Sequence, residues 1–307
     1  MSRIFPEGMM PQNISVFSLV ETDLNNHKYT SAMKRLVAVS NSFSKDIKFL
    51  SLLSLTQKAL GDLSAQLKTL EVIADQTNTQ VAYLDFMAAL YAAGRLNEAL
   101  DVGLHLQEIN EDSGLTEVNE RYLTRILVRI YLEFSDHEGV QETLEKYHTK
   151  YQLDDLMLWS LGLVCLSAGQ QTQALTYFRS AVELNSANDQ AWVSLAMLHD
   201  EMGDRELAVA NLEKALDANP QNATGLKLMS KWCTKSFEQT EIVMNKLSYY
   251  LSKHEFDEEV SLCYVQLLKE NQSMALAGFE LEKQILHDPM NTQFRAAKKN
   301  LEDLLNV

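Results

Sequence analysis

Residues 155–188 read DLMLWSLGLVCLSAGQQTQALTYFRSAVELNSAN, and residues 189–222 read DQAWVSLAMLHDEMGDRELAVANLEKALDANPQN. Laid one under the other at a spacing of 34, they place Gly169 over Gly203, Ala174 over Ala208, Ala181 over Ala215 and Asn185 over Asn219. Each stretch holds two runs whose apolar residues recur at helical intervals. Small residues (Gly162, Ala174, Ala196 and Ala208) allow two antiparallel helices to approach closely, and Leu161, Phe178, Leu195 and Leu212 fill the space around them. A unit of this size cannot bury its apolar face alone, so it has to stack on neighbours of the same kind. Asn185-Ser186 and Asn219-Pro220 end one unit, and Asp189 or Asn222 is expected to cap the next helix.

The same frame extends outward in both directions. It recurs as GDLSAQL at 61–67, GRLNEAL at 94–100 and SDHEGVQ at 135–141, and more faintly as HKYTSAM at 27–33, FEQTEIV at 237–243 and QSMALAG at 272–278. The step from 94 to 135 is 41 residues rather than 34, which places an insertion of seven near 112–120. About eight helical hairpins therefore cover residues 13–290, clearest at 80–113, 155–188 and 189–222. Residues 291–307 repeat no motif, yet Phe294, Ala297, Leu301, Leu304 and Leu305 fall at helical spacing opposite Arg295, Lys298, Lys299 and Asp303. That pattern predicts a capping helix. Residues 1–12 carry Pro6 and Pro11 with Ile4, Phe5, Met9 and Met10, and are expected to form an extended or disordered arm through which self-association is possible.

The motif residues Leu161-Gly162, Gly169, Ala174, Phe178 and Ala181, and Trp192, Leu195-Ala196, Gly203, Ala208, Ala215 and Pro220, resemble the tetratricopeptide repeat (TPR) family. The resemblance implies an all-α fold, a right-handed α-α superhelix of helical hairpins. It also implies a protein-binding scaffold and not an enzyme.

Composition agrees. Only 11 Gly and 4 Pro occur in 307 residues, so few breakers interrupt helices. A net charge of −15 repels phosphate backbones and anionic lipid, which argues against nucleic acid and membrane partners. No apolar run reaches the roughly 20 residues of a spanning helix. Cys165, Cys233 and Cys263 are odd in number and widely spaced, which fits a reducing cytoplasm better than a disulfide framework.

No catalytic motif, metal-ligand spacing or cofactor loop occurs, so no catalytic, metal or cofactor residue is expected. His199, Cys165 and Cys233 fall where the family has a packed tyrosine, and are read as packing residues. The acidic run EFDEE at 255–259 lacks the glycine and alternating ligands of a calcium loop, and reads as a helix start.

In TPR arrays the first helix of each hairpin lines a concave groove. The resemblance thus assigns a partner-binding groove to Tyr91, Tyr122, Arg125, Arg129, Trp159, Leu163, Gln190, Met197, Lys227 and Lys231. Arg125 with Arg129 and Lys227 with Lys231 are i,i+4 basic pairs in an acidic chain. With the aromatic residues they suit a protein or peptide bearing acidic and apolar side chains. The competing reading is that these are solvated faces with Trp159 tucked between repeats. Arg125, Arg129 and Ser160 stand nearest the family's carboxylate clamp, but no Asn accompanies them, so a chaperone tail is not implied. The expected function is an adaptor or chaperone-like scaffold holding a peptide or helix of a partner. The alternative is a regulatory receptor whose groove binds a small peptide or metabolite and changes solenoid curvature.

Overall fold

A computed structural model describes residues 15–113, 115–232, 237–254 and 256–305; the arm expected at 1–12 and Cys233 lie outside them. Every regular element among the described residues is an α-helix, and the chain divides into two compact units, Met1–Tyr151 and Gln152–Val307. The first unit holds α1 (Val16–Asn25), α2 (Tyr29–Phe43), α3 (Ile47–Ala59), α4 (Leu63–Thr77), α5 (Gln80–Ala92), α6 (Leu96–Ser113), α7 (Glu117–Glu133) and α8 (His137–His148). The second holds α9 (Asp155–Ser167), α10 (Gln171–Leu184), α11 (Asp189–Glu201), α12 (Arg205–Ala218), α13 (Ala223–Trp232), α14 (Phe237–Lys253), α15 (Glu258–Glu270), α16 (Met274–His287) and α17 (Thr292–Leu305). Consecutive helices pack as hairpins, and within each unit each hairpin packs on the next.

One turn geometry builds these hairpins. His27, Gly61, Gly94, Ser135, Gly169, Gly203 and Gln272 all have φ between 56° and 83°, each two residues before the second helix of its pair. The residue after each of them donates to the carbonyl five back: Lys28 to Asp23, Asp62 to Gln57, Arg95 to Leu90, Asp136 to Tyr131, Gln170 to Cys165, Asp204 to His199 and Ser273 to Leu268, at 2.7–3.0 Å. That bond stops the first helix and reverses the chain, and it needs a left-handed residue at the turn. Glycine adopts that conformation without strain, which is why four of the seven are glycine. In the seventh pair, FEQTEIV lies wholly inside α14 instead of straddling the turn, two residues out of the frame of the others. The seven extra residues near 112–120 leave only 114–116 between helices; α6 and α7 run 18 and 17 residues, against 13 for α5.

Packing inside the hairpins is matched residue by residue. A Cβ on Gly162 would overlap the Phe178 ring. One repeat later the equivalent pair is Ala196 with Leu212, a larger residue facing a smaller one, and both are fully buried. Total volume is conserved, as close-packed interiors require.

The caps differ from the expectation in one respect. Asn188, not Asp189, caps α11 by accepting from the Ala191 N–H. Asp189 instead accepts at Oδ2 from the side-chain amides of Asn219 (2.8 Å) and Asn222 (2.7 Å) in the following loop. Asp155 does the same with Asn185 and Asn188, both at 2.9 Å. Asn222 also caps α13, accepting from the Gly225 N–H at 2.8 Å. A carboxylate one residue inside a helix start, where the dipole favours negative charge, thus ties α9 to the loop before α11 and α11 to the loop before α13.

The C-terminal helix α17 buries Phe294 and Leu301 against α15 and α16, while Leu304 and Leu305 remain exposed, contrary to the expectation that all five apolar residues share the buried side.

Candidate functional site

The first helices of the pairs carry the ten residues assigned to the groove, four in the first unit and six in the second. In α7, Thr116 caps the start by accepting from the Asn119 N–H, and Glu117 and Glu120 sit in the first turn, where their charge favours the helix. Leu123, Leu127 and Ile130 are buried on one face. That register leaves Tyr122, Arg125 and Arg129, at i, i+3 and i+7, on the opposite side. In α5, Thr79 caps the start and Met87 and Leu90 are buried, which turns Ala88 and Tyr91 toward α7.

Ala88 and Tyr91 from α5, with Tyr122, Arg125, Ile126 and Arg129 from α7, line one open depression with about 170 Å³ of room for water. Tyr91 and Arg125 are half-buried, Tyr122 is 45% exposed, and Arg129 is exposed. No ion pair of Arg129 occurs among the described residues. Nearby cations are already held elsewhere: Arg121 pairs with Glu117 at 2.7 Å and reaches Tyr147 Oη at 3.3 Å, while Lys150 pairs with Glu120 at 3.2 Å. The depression therefore presents two phenol rings and two guanidinium groups. Such a surface can seat an apolar side chain and bind carboxylates bidentately. Ile126, which completes the wall, is buried and was not among the assigned residues.

The six residues of the second unit lie on α9, α11 and α13 and are differently engaged. Trp159 is half-buried beside Leu163 and Trp192, and its Nε1 donates to Ser194 Oγ on α11 at 2.9 Å. It joins two repeats. The Gln190 carbonyl accepts from Ser194 Oγ at 2.9 Å, which places it in the same connection. Lys227 is paired with Glu259 of α15, so it is not an isolated positive charge. Met197, 44% exposed, and Lys231 face solvent. The Ser194 and Glu259 partners were not legible in the sequence, since each lies 32–35 residues from the residue it binds.

Of the other residues singled out, His199 is buried and its Nδ1 lies 2.8 Å from Asn211 Nδ2 on α12. Cys165 is buried, and burial pushes its thiol above the usual range. Asp257 caps α15 by accepting from the Val260 N–H and also accepts from Tyr250 Oη at 2.7 Å, so residues 257–259 of the acidic run open a helix, while Glu255 lies outside the described residues. Among the described residues no three His, Cys, Asp or Glu side chains cluster to hold a metal, and no helix is long and apolar enough to cross a membrane.

Comparisons with known proteins bear on the repeats. The tetratricopeptide repeat family matches residues 157–188 and 189–222. The Photosystem I assembly protein Ycf3 of Cyanophora paradoxa is 31% identical over 87 residues, which is 24% of this chain and 50% of that protein; the chain thus spans half of the curated relative it matches. Among solved structures, the apo form of the quorum sensor NprR from B. thuringiensis superposes with a TM-score of 0.64 at 14% identity, covering 94% of this chain and 86% of that one. A tetratricopeptide repeat protein from Parabacteroides merdae gives 0.55 at 12% identity, covering 83% and 98%. At these identities the structures show a shared fold. Residues 157–222 thus carry two consecutive tetratricopeptide repeats, and the same hairpin turn recurs along both units in an all-α fold shared with tetratricopeptide repeat proteins.

Proposed function

We propose that the chain is a non-enzymatic adaptor that holds a peptide or helix of a partner protein, anchored in the first unit at the depression between α5 and α7. The observation that carries this reading is the convergence of Tyr91, Tyr122, Arg125 and Arg129 on one open wall. Arg129 is exposed, and an acidic group placed beside it and the neighbouring Arg125 adds a counter-charge to this basic pair. Aromatic residues and arginine are favoured anchors because they desolvate large surfaces at little entropic cost. The partner this chemistry fits carries a carboxylate beside an apolar or aromatic side chain. The assembly role in the name of the Cyanophora relative is in keeping with an adaptor.

Charge reversal tests the reading. With a partner captured from the source cell and titrated by calorimetry, Arg125→Glu/Arg129→Glu is expected to weaken binding by about 2 kcal/mol or more, and added salt to weaken the wild-type complex. Tyr122→Ala is expected to weaken it with little salt dependence. Trp159→Ala is a poorer probe, because its indole also joins α9 to α11. Unchanged affinity in both the arginine and tyrosine variants would remove the depression from the interface.

A further inference from the structure

The second helix of the last pair, α16, has three faces. Ala277, Leu281 and Gln284 are buried on one. A second faces α17: Leu301 lies beside Gly278, and Lys298 pairs with Glu282 at 3.1 Å. The third carries Leu276, Phe279, Lys283 and Leu286, and Met290 follows in the turn to α17. At 3.6 residues per turn these positions fall within about a quarter of the helix circumference. Leu276 is 56% exposed, Phe279 67%, Leu286 82% and Met290 79%. No other helix of the described residues leaves as many large apolar side chains in water, and an apolar patch of this kind marks an interaction surface.

We infer that this face binds a second copy of the chain, with the two α16 helices antiparallel across a two-fold axis that passes between Glu282 and Lys283. The order of residues points to self-pairing. Phe279 and Leu286 are equidistant from that midpoint, so a two-fold sets Phe279 of each copy on Leu286 of the other, around the open depression that Phe279, Glu282, Lys283, Leu286 and His287 line. Leu276 of each copy then lies toward Met290 of the other. The same operation brings Lys283 of each copy to Glu282 of the other, twice, which is charge complementarity supplied by a single sequence.

The local charge permits the approach. Glu282 is offset by Lys298, and Lys283 lies 3.5 Å from Glu280, so the face is close to neutral although the chain carries −15. Screening over about 8 Å at physiological salt leaves remote acidic residues with little effect there. An anionic lipid surface, by contrast, would find no uncompensated cation here, since Lys283 lies 3.5 Å from Glu280 and Lys298 pairs with Glu282. A dimer of this kind would present two copies of the α5–α7 depression, and so raise the avidity for a multivalent partner. The dimer itself does not depend on that proposed function.

Sedimentation equilibrium of the full chain tests the pairing. The wild type is expected to dimerise as concentration rises, and Phe279→Glu/Leu286→Glu to be monomeric with an unchanged thermal midpoint, since both side chains are exposed. Glu282→Lys alone and Lys283→Glu alone each set like charges together and are expected to weaken the dimer about tenfold. Mixing these two variants restores opposite charges at both contacts, so their heterodimer is expected to be as tight as the wild-type dimer. A wild type that stays monomeric, a dimer that survives Phe279→Glu/Leu286→Glu, or a mixture no tighter than its components would overturn the inference. So would a monomeric wild type whose α16 face binds anionic vesicles.

Discussion

The two units are built from the same hairpin and use its first helices differently. In the second unit two repeats run at a strict 34-residue step through Asp155, Asp189 and their asparagine partners, and two of the first-helix side chains assigned to the groove hold repeats together: Trp159 on Ser194, Lys227 on Glu259. In the first unit no such carboxylate–amide ladder links the hairpins among the described residues; α6 and α7 are longer, and the wall between α5 and α7 is left open with two arginines and two tyrosines on it. The part of the chain that matches the family best is therefore not the part that presents the candidate binding chemistry.

The largest effects test the shared hairpin. Ala208→Asp in the second unit and Ala99→Asp in the first, both fully buried, should each cost about 3–5 kcal/mol, because an unpaired carboxylate is forced between close helices. Urea denaturation measures both; near-neutral behaviour at either site would break the equivalence of the units.

The matched volumes of consecutive repeats give a sharper test. Gly162→Ala and Phe178→Leu should each destabilise by about 1–3 kcal/mol, the first by overpacking and the second by leaving a void. Together they recreate the Ala196–Leu212 arrangement of the next repeat, so the double variant should recover most of the loss. Additive losses would mean that the two repeats do not share one packing scheme.

Smaller effects separate the ladder from the open unit. Asp189→Ala removes two hydrogen bonds to Asn219 and Asn222 and should cost about 1–2 kcal/mol. Hydrogen exchange should locate that loss in α11–α13 and leave α1–α8 unchanged.

The smallest differences appear at the extremes of pH. In the first unit the Arg35 guanidinium and the Ser31 hydroxyl, both bonded to Asp23, hold its carboxyl below the usual 3.8. A depressed folded-state value means that this stabilisation is present above about pH 4 and lost as the pH falls further. In the second unit burial and the bond to Asp257 raise Tyr250 to about 12. A raised value means that its contribution is present below about pH 10 and lost as the pH climbs toward 12. Asp23→Asn should blunt acid sensitivity in α1–α2, and Tyr250→Phe alkaline sensitivity in α14–α15. Hydrogen exchange at both extremes reads the two separately.

Much of this architecture was legible in one dimension. The 34-residue step, the small residues at helix crossings and the turn glycines are local and periodic, and a chain carrying them has few other ways to bury its apolar faces. Even the turns that lack glycine, at His27, Ser135 and Gln272, fall in the frame because the hairpin length imposes it. The resemblance to the tetratricopeptide repeat family likewise assigned the first helices to one face. What each of those side chains does there depends on partners about 30 residues away. Asp189 looked like a cap and is a clasp between repeats; Trp159 and Lys227, assigned to the groove, also bond to Ser194 and Glu259; Leu286 and Phe279 stand in water. Periodicity determines which residues share a helix face, because that follows from backbone geometry within a few residues. Only the packing of one repeat on the next decides whether the face is buried, bonded or open, because that depends on what the neighbouring repeat brings against it.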